Sequence, residues 1–515
     1  MVRSGSQVIG QTGPMKGDLM SKILLIYPPS RIQYHQSCPM GIQLLGAVLQ
    51  RAGHEITLLD ANAEKRKLTT PQIVQEALRM KPDIVGITLL TPMIREAYEL
   101  ARQLKAHNFT VLGGGPHATL MPTEGLDHGF DAVVIGEGES VIEEAVEALL
   151  GRIPKRDVVG WAFKDEDGAT VVTEPRPLIQ NLDLLPLPAR HLVDPALYGG
   201  EVSGALHCNL FSSRGCTARC SFCSGQLFGK KFRFRSAGNI LDEVEVLQKE
   251  YGTREFHFVD DAMTLHRKRL AEFCRGIADR KMNFRWTIMT RIDAVNEEFL
   301  RMIREAGCYQ IDFGVESGDP VTLRRIHKPH TVDMVKKVIP LTAKMGIDPY
   351  VFFILGFPWE DAASLDNTLS LMKEIAPHVA NFHPAVASIL IPFPGTEIYE
   401  QFKDEYGFQN WWLSDKRNYD EMIPDRKSYY ESKIFHLGNI LKADFFRYDE
   451  SVRKKIYEIF EFMHFHNLSK NTSLFSRLQR RLLMASKHLH SFSSGAERVV
   501  FRPVALVESG IRRFV

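Results

Sequence analysis

Three cysteines fall within one short stretch, Cys216-Thr-Ala-Arg-Cys220-Ser-Phe-Cys223, a C-x3-C-x2-C run. Soft metals and iron–sulfur clusters prefer thiolate, and three thiolates on one loop can wrap a single centre. Structural zinc sites close with four ligands, commonly as two separated C-x2-C pairs. Here no second pair exists, and the nearest spare imidazole, His207, lies nine residues upstream of Cys216. A [4Fe–4S] cube held by three cysteines keeps one iron open for substrate; spacing alone also leaves zinc and a redox thiol open. Cys38, Cys208, Cys274 and Cys308 have no partner in sequence and read as small buried hydrophobes.

The elements around the loop set where it sits. From Lys22 to about Gly151 short apolar runs alternate with helical stretches. Strands are expected at Ile23–Tyr27, Glu55–Leu59, Asp83–Leu89, Thr110–Leu112 and Ala132–Ile135, with helices at Met40–Ala52, Ile94–Lys105 and Val141–Leu150. That rhythm argues for a doubly wound parallel sheet. Between 152 and 200 the rhythm breaks into a hairpin, Trp161–Thr173 around Asp167-Gly168, and a Pro-rich run ending at Pro188, which reads as a linker. Six further strands follow at Leu206–Ser212, Glu255–Val259, Arg285–Thr290, Tyr309–Gly314, Pro349–Leu355 and Val386–Pro392. Helices at Ile240–Tyr251, Arg269–Arg280, Glu297–Ala306 and Val332–Met345 separate them. Six β/α units are too few for a closed eight-fold barrel, and an open one leaves its C-terminal rim accessible. The cysteine loop directly follows the first of these strands.

The expected fold class is therefore α/β. A doubly wound parallel sheet occupies 20–151, a linker 152–200, a partial (β/α)6 barrel 201–400 and a mainly helical region 401–515. The whole chain has 515 residues, 44% hydrophobic and 24% charged, the mixture of a folded protein of several domains. Sixty-four Lys and Arg against 62 Asp and Glu leave a net +2, which gives no support for nucleic acid as a partner. Met1–Asp18 is polar and Gly-rich with no apolar run behind it, unlike a secretory signal, and Met20 is a second candidate start. Seven cysteines, an odd number, argue against a disulfide framework and for a reducing cytoplasm. The stretch Lys470–Val515 carries nine Lys and Arg against Glu497 and Glu508, a local net of +7, with leucines interleaved. Peripheral membrane contact is one reading of it; a helix packed on the barrel with a solvated basic face is the favoured one.

Cys216, Cys220, Phe222 and Cys223 resemble the radical SAM signature, including the aromatic before the third cysteine. The resemblance runs on through the strand ends. Asp260-Asp261 follows the second strand, Thr290-Arg291-Ile292-Asp293 the third and Gly314-Val315-Glu316-Ser317-Gly318 the fourth. Ile354-Leu355-Gly356-Phe357-Pro358-Trp359-Glu360 follows the fifth and Pro392-Phe393-Pro394-Gly395-Thr396 the sixth. It implies a [4Fe–4S] cluster on the three cysteines. S-adenosylmethionine would bind at Asp260, Asp261, Arg291, Glu316 and Ser317, with its adenine at Gly356. It also implies a 5′-deoxyadenosyl radical that abstracts hydrogen from an unactivated carbon, with an electron donor such as flavodoxin or ferredoxin. Taken singly, the aspartates also read as helix caps, Arg291 as a surface ion pair and Gly356 as a turn residue.

The first domain resembles the cobalamin-binding domain that precedes the barrel in one large radical SAM class. Pro39-Met40-Gly41, Asp83 to Thr88, Gly113-Gly114-Gly115-Pro116-His117-Ala118-Thr119 and Gly136-Glu137-Gly138-Glu139 carry the likeness. It implies cobalamin held near Gly113, Gly114, Gly115, Gly136 and Gly138, where glycine lets backbone approach a large flat group. The D-x-H-x-x-G histidine that binds cobalt elsewhere is absent; Pro28-Pro29-Ser30 stands in its place. The class commonly lacks that histidine, and His35 and His117 read as polar loop residues. A domain that only packs on or gates the barrel is the plain alternative. The activity implied is methylation of an unactivated carbon on a small-molecule or lipid-like substrate. Cyclisation or rearrangement without net methylation is the alternative, and a non-catalytic cobalamin or metal sensor comes behind both. Trp411, Trp412, Tyr429, Tyr430, Phe445 and Phe446 suit either a large apolar substrate or a helical core.

Overall fold

The computed structural model describes residues 20–30, 39–63, 65–198, 208–229, 231–261, 263–382, 389–414 and 444–470. His35, Cys38, Tyr429, Tyr430 and the basic stretch beyond Lys470 lie outside the described residues.

The first sheet contains β1 (Lys22–Tyr27), β2 (Glu55–Asp60), β3 (Ile84–Thr88), β4 (Thr110–Gly114) and β5 (Ala132–Val134). They run parallel in the order β2-β1-β3-β4-β5. Alternation along β1 explains why the run is apolar throughout. Leu24 and Ile26 pack toward α2 (Thr70–Met80) and α3 (Ile94–Ala106). Ile23 and Leu25 pack toward α1 (Met40–Arg51) and, past the short α4 (Pro116–Leu120) and α5 (Glu124–Asp127) in the chain, α6 (Ile142–Leu149), so both faces are buried. Helix α2 had no counterpart in the sequence reading; Thr69 and Gln72 start it with a capping box. The hairpin expected in the linker instead extends this sheet. Its strands β6 (Trp161–Lys164) and β7 (Thr170–Val172) add antiparallel beside β5, because Trp161 and Phe163 bury on the α1/α6 side.

The second sheet is parallel throughout, in chain order: β8 (Cys208–Leu210), β9 (Glu255–Phe258), β10 (Arg285–Thr290), β11 (Cys308–Glu316), β12 (Asp348–Phe353) and β13 (Asn381–Phe382). Phe256, Trp286, Ile288, Ile311, Phe313, Val351 and Phe353 are buried against one helical layer. That layer includes α7 (Ala237–Tyr251), α8 (Arg267–Asp279), α9 (Glu297–Glu305), α11 (Val332–Lys344) and α12 (Ala362–Ile375); the short α10 (Pro320–Arg325) and α13 (Glu397–Phe402) add Leu323 and Ile398 to the same core. Alternation sends Thr287, Met289, Gln310, Asp312, Tyr350 and Phe352 to the opposite face, away from the helices, and lateral neighbours share it. Strand boundaries moved at both ends. The first strand is Cys208–Leu210, residues 206 and 207 lying outside the described set. The sixth is Asn381–Phe382, while Ile389 only bridges Leu355. Two paired residues are too few to show a period, whereas the apolar run after Val386 mimics one.

The open edge at β13 is covered by α14 (Glu450–Lys470). Asn467 accepts from the Phe382 N–H at 2.9 Å and donates to its carbonyl at 2.6 Å, standing in for a neighbouring strand. Trp411, Trp412, Phe445 and Phe446 are buried; Trp411 meets Trp412 and Phe445 edge to face, Phe445 at 5.2 Å between ring centroids, and Phe446 meets Phe408 the same way. They form core, the second of the two readings. Among the described residues no helix is long and apolar enough to cross a membrane.

Candidate functional site

The cysteine loop is closed by a two-stranded ribbon, Ser213–Arg214 paired antiparallel with Arg233–Phe234. Glycine is required at 215. Its φ is +85°, and a Cβ there would sit 2.5 Å from the Lys231 carbonyl oxygen. Cys220 is buried, Cys216 half-buried and Cys223 exposed. Burial pushes the Cys220 thiol up to about 11 against the pull of Lys328, with Cys223, Glu316 and Cys216 adding to the rise. Cys223 accepts the Gly225 N–H at 3.2 Å. Thiols held protonated this way gain from a soft cation that replaces the proton. Among the described residues no set of three or more His, Cys, Asp or Glu stands gathered as a metal cage. What fits an iron–sulfur cluster is the donor set: three thiols on one loop, an N–H donated to sulfur, and cations close by.

Those cations are Arg291, just after β10, and Lys328, in the loop that follows β11 and a short helix. Glu316 ends β11 with φ +70°, a left-handed conformation rare outside glycine. Its carboxylate pairs with Lys328 Nζ at 2.9 Å, both side chains less than a tenth exposed. Lys328 also lies 5.8 Å from the Phe222 ring centroid and acts on Cys220 and Cys223. Arg291 is forked to Asp293 and feels Cys216 and Cys220. After β12, Gly356 has φ +85° and donates its N–H to Glu360 at 2.7 Å, and its carbonyl accepts from the Tyr448 hydroxyl at 2.5 Å. Lys328 was not picked out from sequence. Its signal is a lysine beside Pro329 shortly after Glu316, informative only once the rim is mapped.

Two of the selected residues face inward instead. Asp260 is buried beneath the rim and accepts the N–H groups of Ser212 and Ser213 at 2.6 and 2.9 Å, plus the Ser212 hydroxyl. It ties the end of β9 to the chain leaving β8. Ser317 is buried, its hydroxyl 3.2 Å from that of Thr368 and accepting the Asp319 N–H at 3.1 Å. Asp261, next to Asp260, faces a cavity and is raised by burial and by that neighbour.

This cavity, about 350 Å³, lies between the two domains. Its first wall is the C-terminal edge of the first sheet: Gly113 and Gly114 ending β4, Gly115 just after it, and Gly136 and Gly138 after β5. Its second wall is the barrel rim, Phe211, Arg214, Val259 and Asp261. The order β2-β1-β3 places the switch point of the sheet beside it, where such sheets bind ligands. Gly115 has φ +123°, and a Cβ would come within 2.8 Å of the Leu89 carbonyl oxygen. Gly138 runs close under Leu45, 3.1 Å from where its Cβ would be. A glycine-edged, largely apolar cradle suits a large flat group lying on backbone. Phe222, Arg291, Glu316 and Gly356 do not line this cavity; Phe222 belongs to the cysteine loop, and Arg291 and Glu316 act on its thiols.

His117 is not free to bind cobalt. It is fully buried, with Nδ1 2.9 Å from the Thr91 hydroxyl and Nε2 3.0 Å from Glu124. Glu124 also accepts from Tyr98 at 2.6 Å and from Trp412 at 3.2 Å, so this histidine belongs to a contact between the first domain and the chain after the barrel. Hydrogen bonds from His117 and Tyr98 hold the Glu124 carboxyl below its ordinary range against the upward push of burial.

Residues 34–146 match the B12 binding domain and residues 210–372 the radical SAM superfamily. An uncharacterised methyltransferase of Pyrococcus horikoshii is 33% identical over 389 residues, covering 74% of this chain and 82% of that protein. The anaerobic magnesium-protoporphyrin IX monomethyl ester cyclase of Rubrivivax gelatinosus is 30% identical, over 71% of this chain and 66% of its own. A radical S-adenosylmethionine methyltransferase of Kitasatospora setae, solved with cobalamin and a [4Fe–4S] cluster bound, shares the fold. Its TM-score is 0.62 at 19% identity, over 76% of each chain. The chain thus belongs to the cobalamin-binding radical SAM enzymes, which work with a [4Fe–4S] cluster, S-adenosylmethionine and cobalamin.

Proposed function

We propose that the chain is a carbon methyltransferase acting on a small organic molecule. The observation that carries this is the cavity shared by the glycine edge of the first domain and the barrel rim. It lets a methyl donor lying on Gly113–Gly115 and Gly138 face the rim that carries the cysteine loop. When bound, the cluster and S-adenosylmethionine supply a hydrogen-abstracting radical, and cobalamin supplies the methyl group.

The protein's part is holding and excluding. Cys216, Cys220 and Cys223 would hold the cluster, with Phe222 and Lys328 beside their loop. Asp261 and Glu316 suit the ammonium side of S-adenosylmethionine, Arg291 its carboxylate, and the backbone at Gly356 its adenine. Asp260 and Ser317 act as positioning residues through the buried contacts described above. A one-electron reductant of the flavodoxin or ferredoxin kind completes the reaction. On the sheet face opposite the helices, Gln310 donates to Asp312 Oδ1 at 2.8 Å, and among the described residues no donor reaches Oδ2. Burial raises the Asp312 carboxyl to about 6. A substrate that offers a hydroxyl, amine or amide N–H to this carboxyl fits better than a bare hydrocarbon.

The test is product analysis by mass spectrometry on anaerobically reconstituted protein with S-adenosylmethionine and a reductant. 5′-Deoxyadenosine, with S-adenosylhomocysteine only when cobalamin is added, supports methylation. 5′-Deoxyadenosine alone favours cyclisation or rearrangement, the reading that the Rubrivivax relative suggests.

A further inference from the structure

The loop Gly136-Glu137-Gly138-Glu139 does more than line the cavity. Glu137 is nearly fully buried and gathers three pieces of chain that are remote in sequence. Arg214 Nη1 donates to its Oε1 at 2.7 Å, and Arg233 Nη1 donates to Oε1 and Oε2 at 3.0 and 2.8 Å. The Ile179 N–H of the linker donates to Oε2 at 2.7 Å, and the Ile179 carbonyl accepts from Arg233 at 2.6 Å. Arg214 Nη2 donates to Glu139 at 2.5 Å. Arg214 and Arg233 are themselves partners in the ribbon, and every cysteine of the signature lies between them. Arg214 is separated from Cys216 by Gly215 alone. One buried carboxylate of the first domain therefore grips both ends of the cysteine loop.

We propose that Glu137 is a positioning residue that couples the two cofactor sites, so that filling either one favours the other. It rests on the reading that cobalamin occupies the interdomain cavity. Glu137 and Glu139 line that cavity together with Arg214, so a group seated on Gly136 and Gly138 fixes the glutamates. The fork of Arg214 transmits that fixation to the start of the cysteine loop, and Arg233 transmits it to the end. A charged pair this buried has few alternative arrangements, because a released carboxylate or guanidinium would be stranded away from water. Coupling between binding sites is reciprocal: whatever factor the cluster adds to cobalamin affinity, cobalamin returns to the cluster.

The experiment titrates hydroxocobalamin into the full chain in two states, stripped of metal with a chelator and reconstituted anaerobically with iron and sulfide. Free and bound corrin are read by absorbance after rapid filtration. The reconstituted protein is expected to bind hydroxocobalamin about tenfold more tightly, within the usual range of site-to-site coupling. The ratio should fall to about one in Glu137→Gln and Arg214→Gln, and Arg214→Lys, which keeps charge without the fork, should land between. A purely structural role for Glu137 would shift both affinities and leave their ratio intact. Hydrogen exchange supplies a readout that needs no variant: hydroxocobalamin added to metal-free wild type should slow exchange in the peptide spanning 213–234. A ratio of one in the wild type, or a wild-type ratio in both Gln variants, overturns the coupling while leaving the cofactor reading standing. Failure of hydroxocobalamin to bind either state overturns both.

Discussion

Replacing Glu360 by Gln isolates the effect of a single buried charge beside the fifth strand end. Glu360 Oε2 accepts the N–H groups of Gly356 and Phe357 at 2.7 and 3.1 Å, while its buried Oε1 has no hydrogen-bond partner among the described residues. Burial outweighs the two amide bonds and raises the carboxyl from an ordinary 4.5 to about 8. In the unfolded chain the group loses its proton above 4.5; in the folded chain it keeps the proton until about 8. Folding therefore takes up a proton across that window. The stability linked to it is whole below pH 4.5, drains as pH rises, and is gone above about 8. At 1.36 kcal/mol per pKa unit the effect reaches at most about 5 kcal/mol, and about 2–5 is the expected range. For a barrel of this size that corresponds to about 5–15 °C in Tm. Gln keeps an acceptor for both amides and cannot ionise. Thermal unfolding followed by circular dichroism from pH 5 to 8.5 should show the wild type losing that much relative to Glu360→Gln. All other titrations are common to both proteins and cancel in the comparison. Parallel Tm profiles across the whole range would refute the reasoning.

Three further outcomes are expected. Lys328→Ala strands Glu316 in a buried setting and should cost about 3–5 kcal/mol in urea unfolding; a loss under 1 kcal/mol would mean that water reaches the pair. Gly115→Ala forces a Cβ to within 2.8 Å of the Leu89 carbonyl at φ +123° and should weaken hydroxocobalamin binding at least about tenfold. Unchanged affinity would move the corrin away from this edge. Alanine at Cys216, Cys220 or Cys223 should abolish the visible iron–sulfur absorbance of the reconstituted protein, and retention of a full cluster by any of the three would remove that cysteine from the donor set.

Sequence exposed what repeats and hid what closes over distance. The cysteine spacing, the glycines at the end of β4 and after β5, and the apolar runs of β1 and β3 are local patterns, and each stands where its pattern placed it. Asp260 and Asp261 show the limit. Adjacent residues of one type are indistinguishable in the chain, yet alternation turns Asp260 down onto Ser212 and Ser213 and turns Asp261 out into the cavity. The hairpin at Trp161 looked like linker because its partner, β5, lies across a helix and a turn. Likewise β13 is two residues long and is held by an asparagine 85 positions further on, a contact with no local signature.

The same distinction explains where the ionic contacts lie. A parallel sheet delivers all its strand ends to one edge, and each half of this chain has one such edge. Apolar periodicity builds both edges, but it carries no information about how one is set against the other. That setting falls to buried polar groups at the seam, Glu137 with Arg214 and Arg233, and Glu124 with His117 and Trp412. Buried ion pairs are poor sources of stability because desolvation consumes most of their attraction. They are exacting about geometry, since a slip of one or two ångströms leaves a charge unpaired. On the proposed reading, a corrin held against a radical-generating rim needs that exactness more than it needs extra stability. Apolar residues at Glu137 and Arg214 would remove the first of these contacts and leave Glu124 with His117 and Trp412 to set the two edges.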